Sequence, residues 1–254
     1  MLQEIVAGNV YAFLLVFCRL GSAMMSLPGV GETSISPRFR LSIALLMAGV
    51  SVPVLGPTLP PLPAQPLHLA FFMLTEIGLG LAIGLLARLA ISALHVAGTV
   101  IALQAGLAAA IFFDPNQGSQ SAVVSSALVF MGITLIFVTD LHLMALQAAY
   151  DSYTLFPPLQ APAFGDFAEV ATRMVAGSLE LGLKLSAPFI VYGIVFNVAL
   201  GLLNRLMPTL QIFFIMQAPL IALSLILLGL SLVAIGLSFT THVEALLSQL
   251  LAPR

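Results

Sequence analysis

The stretch TEIGLGLAIGLLARLAISALHVAGTVIALQAG, residues 75–106, contains only two residues with formal charge, Glu76 and Arg88. A helix needs about 20 mostly apolar residues to cross the hydrocarbon core of a bilayer. Residues 67–87 and 89–112 each reach that length, and Arg88 alone separates them. The pattern therefore predicts either two membrane helices or one long bent helix.

Small residues recur at a spacing of four in and after this stretch, which places them along one face of a helix. They are Gly80 and Gly84, which form a GxxxG motif, and then Gly98, Ala102, Gly106 and Ala110. A helix face without bulky side chains lets a second helix approach closely. The pattern predicts tight helix packing, either within this chain or against another subunit of an assembly.

The composition of the whole chain extends this prediction. Of its 254 residues 60% are hydrophobic and 7% are charged, against about 45–50% and about 25% in soluble domains. Further apolar segments lie near 5–27, 41–59, 122–139, 179–203 and 211–238. The sequence predicts an all-α polytopic membrane protein with six or seven membrane-spanning segments.

Motifs of catalytic sites are missing from the sequence. It contains no HExxH, GxSxG, GxxxxGK[ST] or GxGxxG pattern, and these are the signatures of metalloproteases, hydrolases and nucleotide-binding proteins. The longest polar stretch, residues 150–173, is too short to be a catalytic domain. The single cysteine, Cys18, excludes an internal disulfide. We predict that the chain is not an enzyme and holds no cofactor or metal.

Polar residues inside apolar segments are the next candidates. An ionisable side chain in a membrane helix costs about 2.5 kcal/mol or more, so Arg19 and Glu76 should face protein or a water-filled space. They could pair, and structural anchoring is favoured over a transport role. Other polar residues are expected to bond within the protein: Asn197, Gln211 and Gln217 between helices, and Glu180 with Lys184 along one helix.

Three blocks of sequence carry a resemblance to a known family. They lie at residues 17–49, 75–126 and 187–215. Their characteristic residues are Arg19 and Pro37-x-x-Arg40; Glu76, Gly80, Gly84, Gly98, Gln104, Gly106 and Asp114-Pro115; and Asn197, Gly201, Arg205 and Pro208 in an N-x-x-x-G-x-x-x-R-x-x-P rhythm. In this order the chain resembles the FliR family of the bacterial flagellar export gate, whose relatives serve type III secretion injectisomes.

The resemblance implies an architecture and a set of partners. Residues 1–178 would be similar to FliP, and residues 179–254 would form a helical hairpin similar to FliQ. One copy of the chain would join FliP and FliQ in a hetero-oligomer in the bacterial inner membrane, at the flagellar basal body. FlhB, FlhA, membrane lipid and unfolded flagellar proteins are the further expected partners. Buried structural roles are expected for Arg19, Glu76, Asn197, Arg205 and Pro208.

The stretch GLAAAIFFDPNQGSQSA, residues 106–122, has two interpretations. From its residues alone it is a turn between helices, because Pro115 ends a helix and biases Asp114 toward an extended backbone. The resemblance implies instead a loop that plugs the export pore. The predicted plug residues are Gly106, Ile111, Phe112, Phe113, Asp114, Pro115, Asn116, Gln117 and Gly118.

Three other functions remain as alternatives. An injectisome export gate shares the same sequence features. A secondary transporter would use Arg19 and Glu76 at a substrate site near the midplane, although we find no internal pseudo-repeat of the kind such proteins contain. A purely structural assembly factor is the third alternative.

Overall fold

The computed structural model describes residues 2–32, 35–107, 121–158, 164–207 and 212–251. These residues form α-helices, one 3₁₀ turn at Gly56–Thr58, and no strand. The helices are α1 (Leu2–Ser26), α2 (Pro37–Leu55), α3 (Pro66–Gln104), α4 (Ser121–Val138), α5 (Leu141–Leu155), α6 (Phe164–Leu206) and α7 (Ile212–Leu251). The predicted all-α fold is confirmed.

Helix α3 settles one of the open questions. It runs for 39 residues without interruption, so the prediction of one long helix is confirmed and that of two helices is wrong. Arg88 does not break it, because its guanidinium reaches the carboxylate of Glu32 at 3.5 Å and its side chain is 45% exposed. A charge that can reach solvent and a partner does not have to interrupt a helix.

Five helices of the described chain are long and apolar enough to cross a membrane: α1, α2, α3, α6 and α7. Helices α4 and α5 meet at a bend of 74°. They add a sixth span if the two helices cross the membrane together as one broken segment. Asp140 at this bend has a φ of 58°, in the left-handed region that aspartate tolerates better than most residues. The described residues thus contain five candidate spans, or six if the bent pair is one span, against the six or seven segments that the sequence predicts.

The chain divides into two compact units. One unit contains Met1–Leu89, Ile136–Met174 and Val243–Arg254, and the other contains Ala90–Leu135 and Val175–His242. The core of the first unit is built from α1, α2, α3 and α5 and includes Val16, Leu20, Ala48, Ile83 and Ala149. Buried side chains of the second unit include Leu94, Ala97, Ile101, Phe189 and Phe239.

Glycines bring helices of this chain together in both units. A Cβ atom at Gly80 would overlap the carbonyl oxygen of Arg19 in α1, and one at Gly84 would lie 2.5 Å from the carbonyl oxygen of Ala23. In the second unit a Cβ at Gly98 would lie 2.9 Å from the backbone nitrogen of Ser125 in α4. Helix backbones touch at these positions because no side chain separates them.

Candidate functional site

The predicted plug segment is described only at its ends. Residues 108–120, which include Ala110 and the predicted plug residues from Ile111 to Gly118, lie outside the described residues. Gly106 is described and marks the point at which the chain leaves α3. The site is therefore built from this helix end and from the helices that contact it.

Helix α3 ends at Gln104. The apolar run had suggested an end at residue 112. The amide of Ala105 donates to the carbonyl of Ile101 at 2.8 Å, and the amide of Gly106 donates to the carbonyl of Leu103 at 3.2 Å. Gly106 has a φ of +73°, the conformation in which a glycine commonly terminates a helix. The prediction that Gly106 belongs to the packing face of a helix is corrected: it is the residue that stops α3.

Side chains from α7 hold this helix end, and α6 is bonded to α7 beside it. The Nε2 of Gln217 in α7 donates to the carbonyl oxygen of Gly106 at 2.7 Å. A Cβ atom at Gly106 would lie 2.5 Å from Leu220 and 2.8 Å from the Gln217 amide nitrogen. The hydroxyl of Tyr192 in α6 donates to the carbonyl of Leu220 at 2.9 Å. Gln217 thus forms an interhelical hydrogen bond of the kind predicted.

The side chain of Gln104 adds a further contact to this helix end. It lies against Gly193 in α6, where a Cβ atom would come within 3.0 Å of the Gln104 Cδ. Gly193 is buried, whereas Gln104 is partly exposed. The last turn of α3 therefore contacts α6 as well as α7.

The first unit contains a buried ion pair. Arg19 and Glu76 are 0% and 2% exposed, and the pair is bidentate, with N–O distances of 2.5 and 2.9 Å. The remaining donor of Arg19, Nη1, bonds to the carbonyls of Ser152 at 3.1 Å and Phe156 at 3.0 Å. The guanidinium carbon also lies 4.1 Å from the centre of the Tyr153 ring.

This arrangement joins α1 and α3 to the C-terminal end of α5. The sequence left open whether Arg19 and Glu76 pair, and the structure shows that they do. Each guanidinium nitrogen of Arg19 is bonded within the protein and the side chain is buried, so it is not open to a transported solute. The geometry favours anchoring over a substrate site.

Two residues predicted to be buried are exposed in this chain. Asn197 and Arg205 lie on faces of α6 that no other described element covers, and a Cβ atom at Gly201 between them would meet no atom within 4 Å. Pro208 lies outside the described residues. The predicted ion pair between Glu180 and Lys184 forms at 2.6 Å on the exposed surface of the same helix.

Comparison with known proteins identifies the family. The sequence matches the bacterial export proteins, family 1, over residues 10–246. The chain belongs to the FliR family of bacterial export proteins. FliR membership makes it a membrane-embedded component of a flagellar or type III export apparatus, as the resemblance had indicated.

Two FliR relatives match most of the chain. A flagellar biosynthetic protein FliR of Caulobacter vibrioides is 40% identical over 241 residues, covering 95% of this chain and 96% of the relative. A second, of Pectobacterium carotovorum, is 33% identical over 206 residues, covering 79% and 76%. Yop proteins translocation protein T of Yersinia pestis is 29% identical over 140 residues, 54% of each chain. FliR similarity thus extends further along the chain than similarity to the Yersinia protein.

Proposed function

We propose that this chain closes the ring of the flagellar export gate and plugs the pore through which unfolded flagellar proteins are exported. The observation that carries the proposal is the stop of α3 at Gly106, since the sequence stays apolar for seven more residues, through Phe113. This apolar segment leaves a helix end that contacts α6 and α7. It therefore begins at a helix end that is packed against other helices of the chain.

The chemistry of the segment fits a barrier. A closed pore excludes water and ions with an apolar constriction that can still yield to a substrate. Phe112 and Phe113 supply bulky apolar side chains, and Pro115 prevents an ordinary helix from continuing through the segment. Irregular backbone at membrane depth is tolerated where it is buried in protein or lines a cavity. A plug loop inside the pore would be buried in protein and would line the cavity of the pore.

The proposed assembly contains FliP and FliQ with one copy of this chain, in the bacterial inner membrane. Residues 1–178 would take the place of a FliP-like part, and residues 179–254 that of a FliQ-like hairpin made of α7 and the part of α6 from residue 179 onward. Asn197 and Arg205 support this placement, because polar side chains on an apolar helix are costly against lipid and a neighbouring subunit would cover them. FlhB and FlhA are proposed as further neighbours.

The first test removes the proposed plug. Deleting residues 110–117, or changing both Phe112 and Phe113 to alanine, should make cells leak ions or small dyes while the complex with FliP and FliQ persists. The leak is expected because the constriction loses the side chains that exclude water. Dye uptake and membrane potential measure it, with recovery of the purified complex as the measure of assembly.

A second phenylalanine pair provides the matched control. Phe71 and Phe72 are also adjacent, but they lie near the start of α3, and Phe71 is 59% exposed. Changing both of these to alanine should leave the cells as tight as wild type. The plug proposal fails if the Phe112 and Phe113 variant is equally tight while its complex is intact.

A further inference from the structure

The end of α3 receives a hydrogen bond from one polar side chain of α7. We infer that Gln217 is a positioning residue that fixes where the chain leaves α3, and that it thereby places the start of the proposed plug. Its consequence for the plug rests on the proposed function, whereas the hydrogen bond and the packing around it do not. Gln217 itself lies on α7 and bonds to Gly106, outside residues 108–120.

The carbonyl of Gly106 follows the end of α3 and needs a hydrogen-bond donor. The last carbonyls of a helix and those that follow it have no partner within the helix and need another donor. Gln217 supplies that donor at 2.7 Å across 111 residues of sequence. A bond between such distant residues fixes the helix end against α7, which a local cap would not do.

The carboxamide of Gln217 lies in an apolar helix, where an unbonded polar group is destabilising. Residues 212–248 contain no asparagine or glutamine apart from Gln217, and α7 is long and apolar enough to cross a membrane. An amide in such surroundings is destabilising unless it is hydrogen-bonded. The Gly106 carbonyl gives Gln217 its partner, so the two groups satisfy each other.

The part of α7 that carries Gln217 is itself bonded to α6. Leu220 lies one helical turn after Gln217, and a Cβ atom at Gly106 would lie 2.5 Å from its side chain. The carbonyl of Leu220 accepts from the Tyr192 hydroxyl at 2.9 Å, which ties α7 to α6. The amide of Gln217 is thus presented from a helix that is itself held in place.

The test compares Gln217→Met and Gln217→Glu in the full chain within its purified complex. Methionine keeps the length of the side chain without a donor, and an ionised glutamate keeps its shape but can only accept hydrogen bonds. The readout is the rate at which a maleimide labels Leu107→Cys, with the buried Cys18 changed to alanine. We expect both variants to raise this rate about fivefold, the change in an opening equilibrium that corresponds to one neutral hydrogen bond.

Matched controls separate this effect from general loosening. Gln249→Met removes an exposed carboxamide from the same helix and should leave the rate at Leu107→Cys unchanged. Labelling of Leu143→Cys, at a side chain that is 54% exposed on α5, should not respond to the Gln217 variants. Recovery of the complex reports whether each variant assembles.

The outcomes distinguish this inference from the proposed function. Faster labelling together with a dye leak in the Gln217 variants supports it. Unchanged labelling at Leu107→Cys overturns it, whatever the Phe112 and Phe113 variant does. Faster labelling without a leak also overturns the positioning role if the phenylalanine variant does leak. If the phenylalanine variant stays tight, the proposed function fails, and the labelling rate still decides whether Gln217 holds the end of α3.

Discussion

Replacing Arg19 with alanine is expected to remove most of the folded protein from the membrane. The change leaves the carboxylate of Glu76 buried without its counter-charge and takes the donor away from the carbonyls of Ser152 and Phe156. Removing one partner of a buried pair costs about 3–5 kcal/mol, a large share of the roughly 5–15 kcal/mol that stabilises a typical protein. Immunoblots of membrane fractions and yields of the purified complex measure the loss.

An exposed arginine provides the control for this variant. Arg173 pairs with Glu169 on the surface of α6, and its side chain is 63% exposed. Pairs of this kind along a helix contribute about 0.3–0.5 kcal/mol, so Arg173→Ala should leave the protein level close to wild type. Equal losses in the two variants would show that the buried pair has no special role.

Exchanging the charges sharpens the same prediction. A chain with Arg19→Glu and Glu76→Arg keeps an ion pair between α1 and α3, yet we expect it to accumulate no better than Arg19→Ala. Glutamate at position 19 would set a carboxylate beside the carbonyls of Ser152 and Phe156, which need a donor. Full recovery in the exchanged chain would mean that the bonds to α5 contribute little.

The second large effect is expected at Gly80. Alanine there would push a methyl group into the carbonyl oxygen of Arg19 and the hydroxyl of Ser22, so α1 and α3 would have to separate. Overpacking of this kind costs about 1–3 kcal/mol or more, and the shift would also disturb the Arg19 ion pair nearby. The midpoint of thermal aggregation of the purified complex should fall clearly below that of wild type.

Gly78 is the matched control on the same helix. A Cβ atom at Gly78 would meet nothing within 4 Å, and alanine is favoured over glycine in a helix by about 1 kcal/mol. Gly78→Ala should therefore keep or slightly raise the aggregation midpoint. A Gly80→Ala protein as stable as Gly78→Ala would contradict the close contact between α1 and α3.

The sequence predicted the fold class and the long apolar helices, because composition and segment length depend only on residue types. It also identified Arg19 and Glu76 as residues that need partners. Their pairing could not be predicted from the sequence, because the two residues lie on different helices and are 57 positions apart. The bonds from Arg19 to α5 were missed entirely, because they end on backbone carbonyls and leave no sequence signal.

Gly106 shows why the end of α3 was placed too late. Its spacing from Gly98 and Ala102 is the same as that of a packing residue, and the apolar run continues past it to Phe113. A glycine that packs a helix and a glycine that ends one look alike in sequence, because the difference lies in φ. Asn197 and Arg205 are exposed in this chain for another reason: the polarity of a residue does not indicate whether another helix of the same chain covers it.

The distant partners of Arg19 also bear on the synthesis of the chain. Glu76 emerges from the ribosome 57 residues after Arg19, and Ser152 emerges 133 residues after it. At about 5–20 residues per second, Arg19 waits roughly 3–11 s for its carboxylate and longer for α5. Until Glu76 has been made, α1 carries Arg19 without its counter-charge, and we expect another protein to shelter it. Site-specific crosslinking of ribosome-bound chains that stop before Glu76 should capture α1 against an insertion factor, and this contact should fade in chains that extend past Phe156.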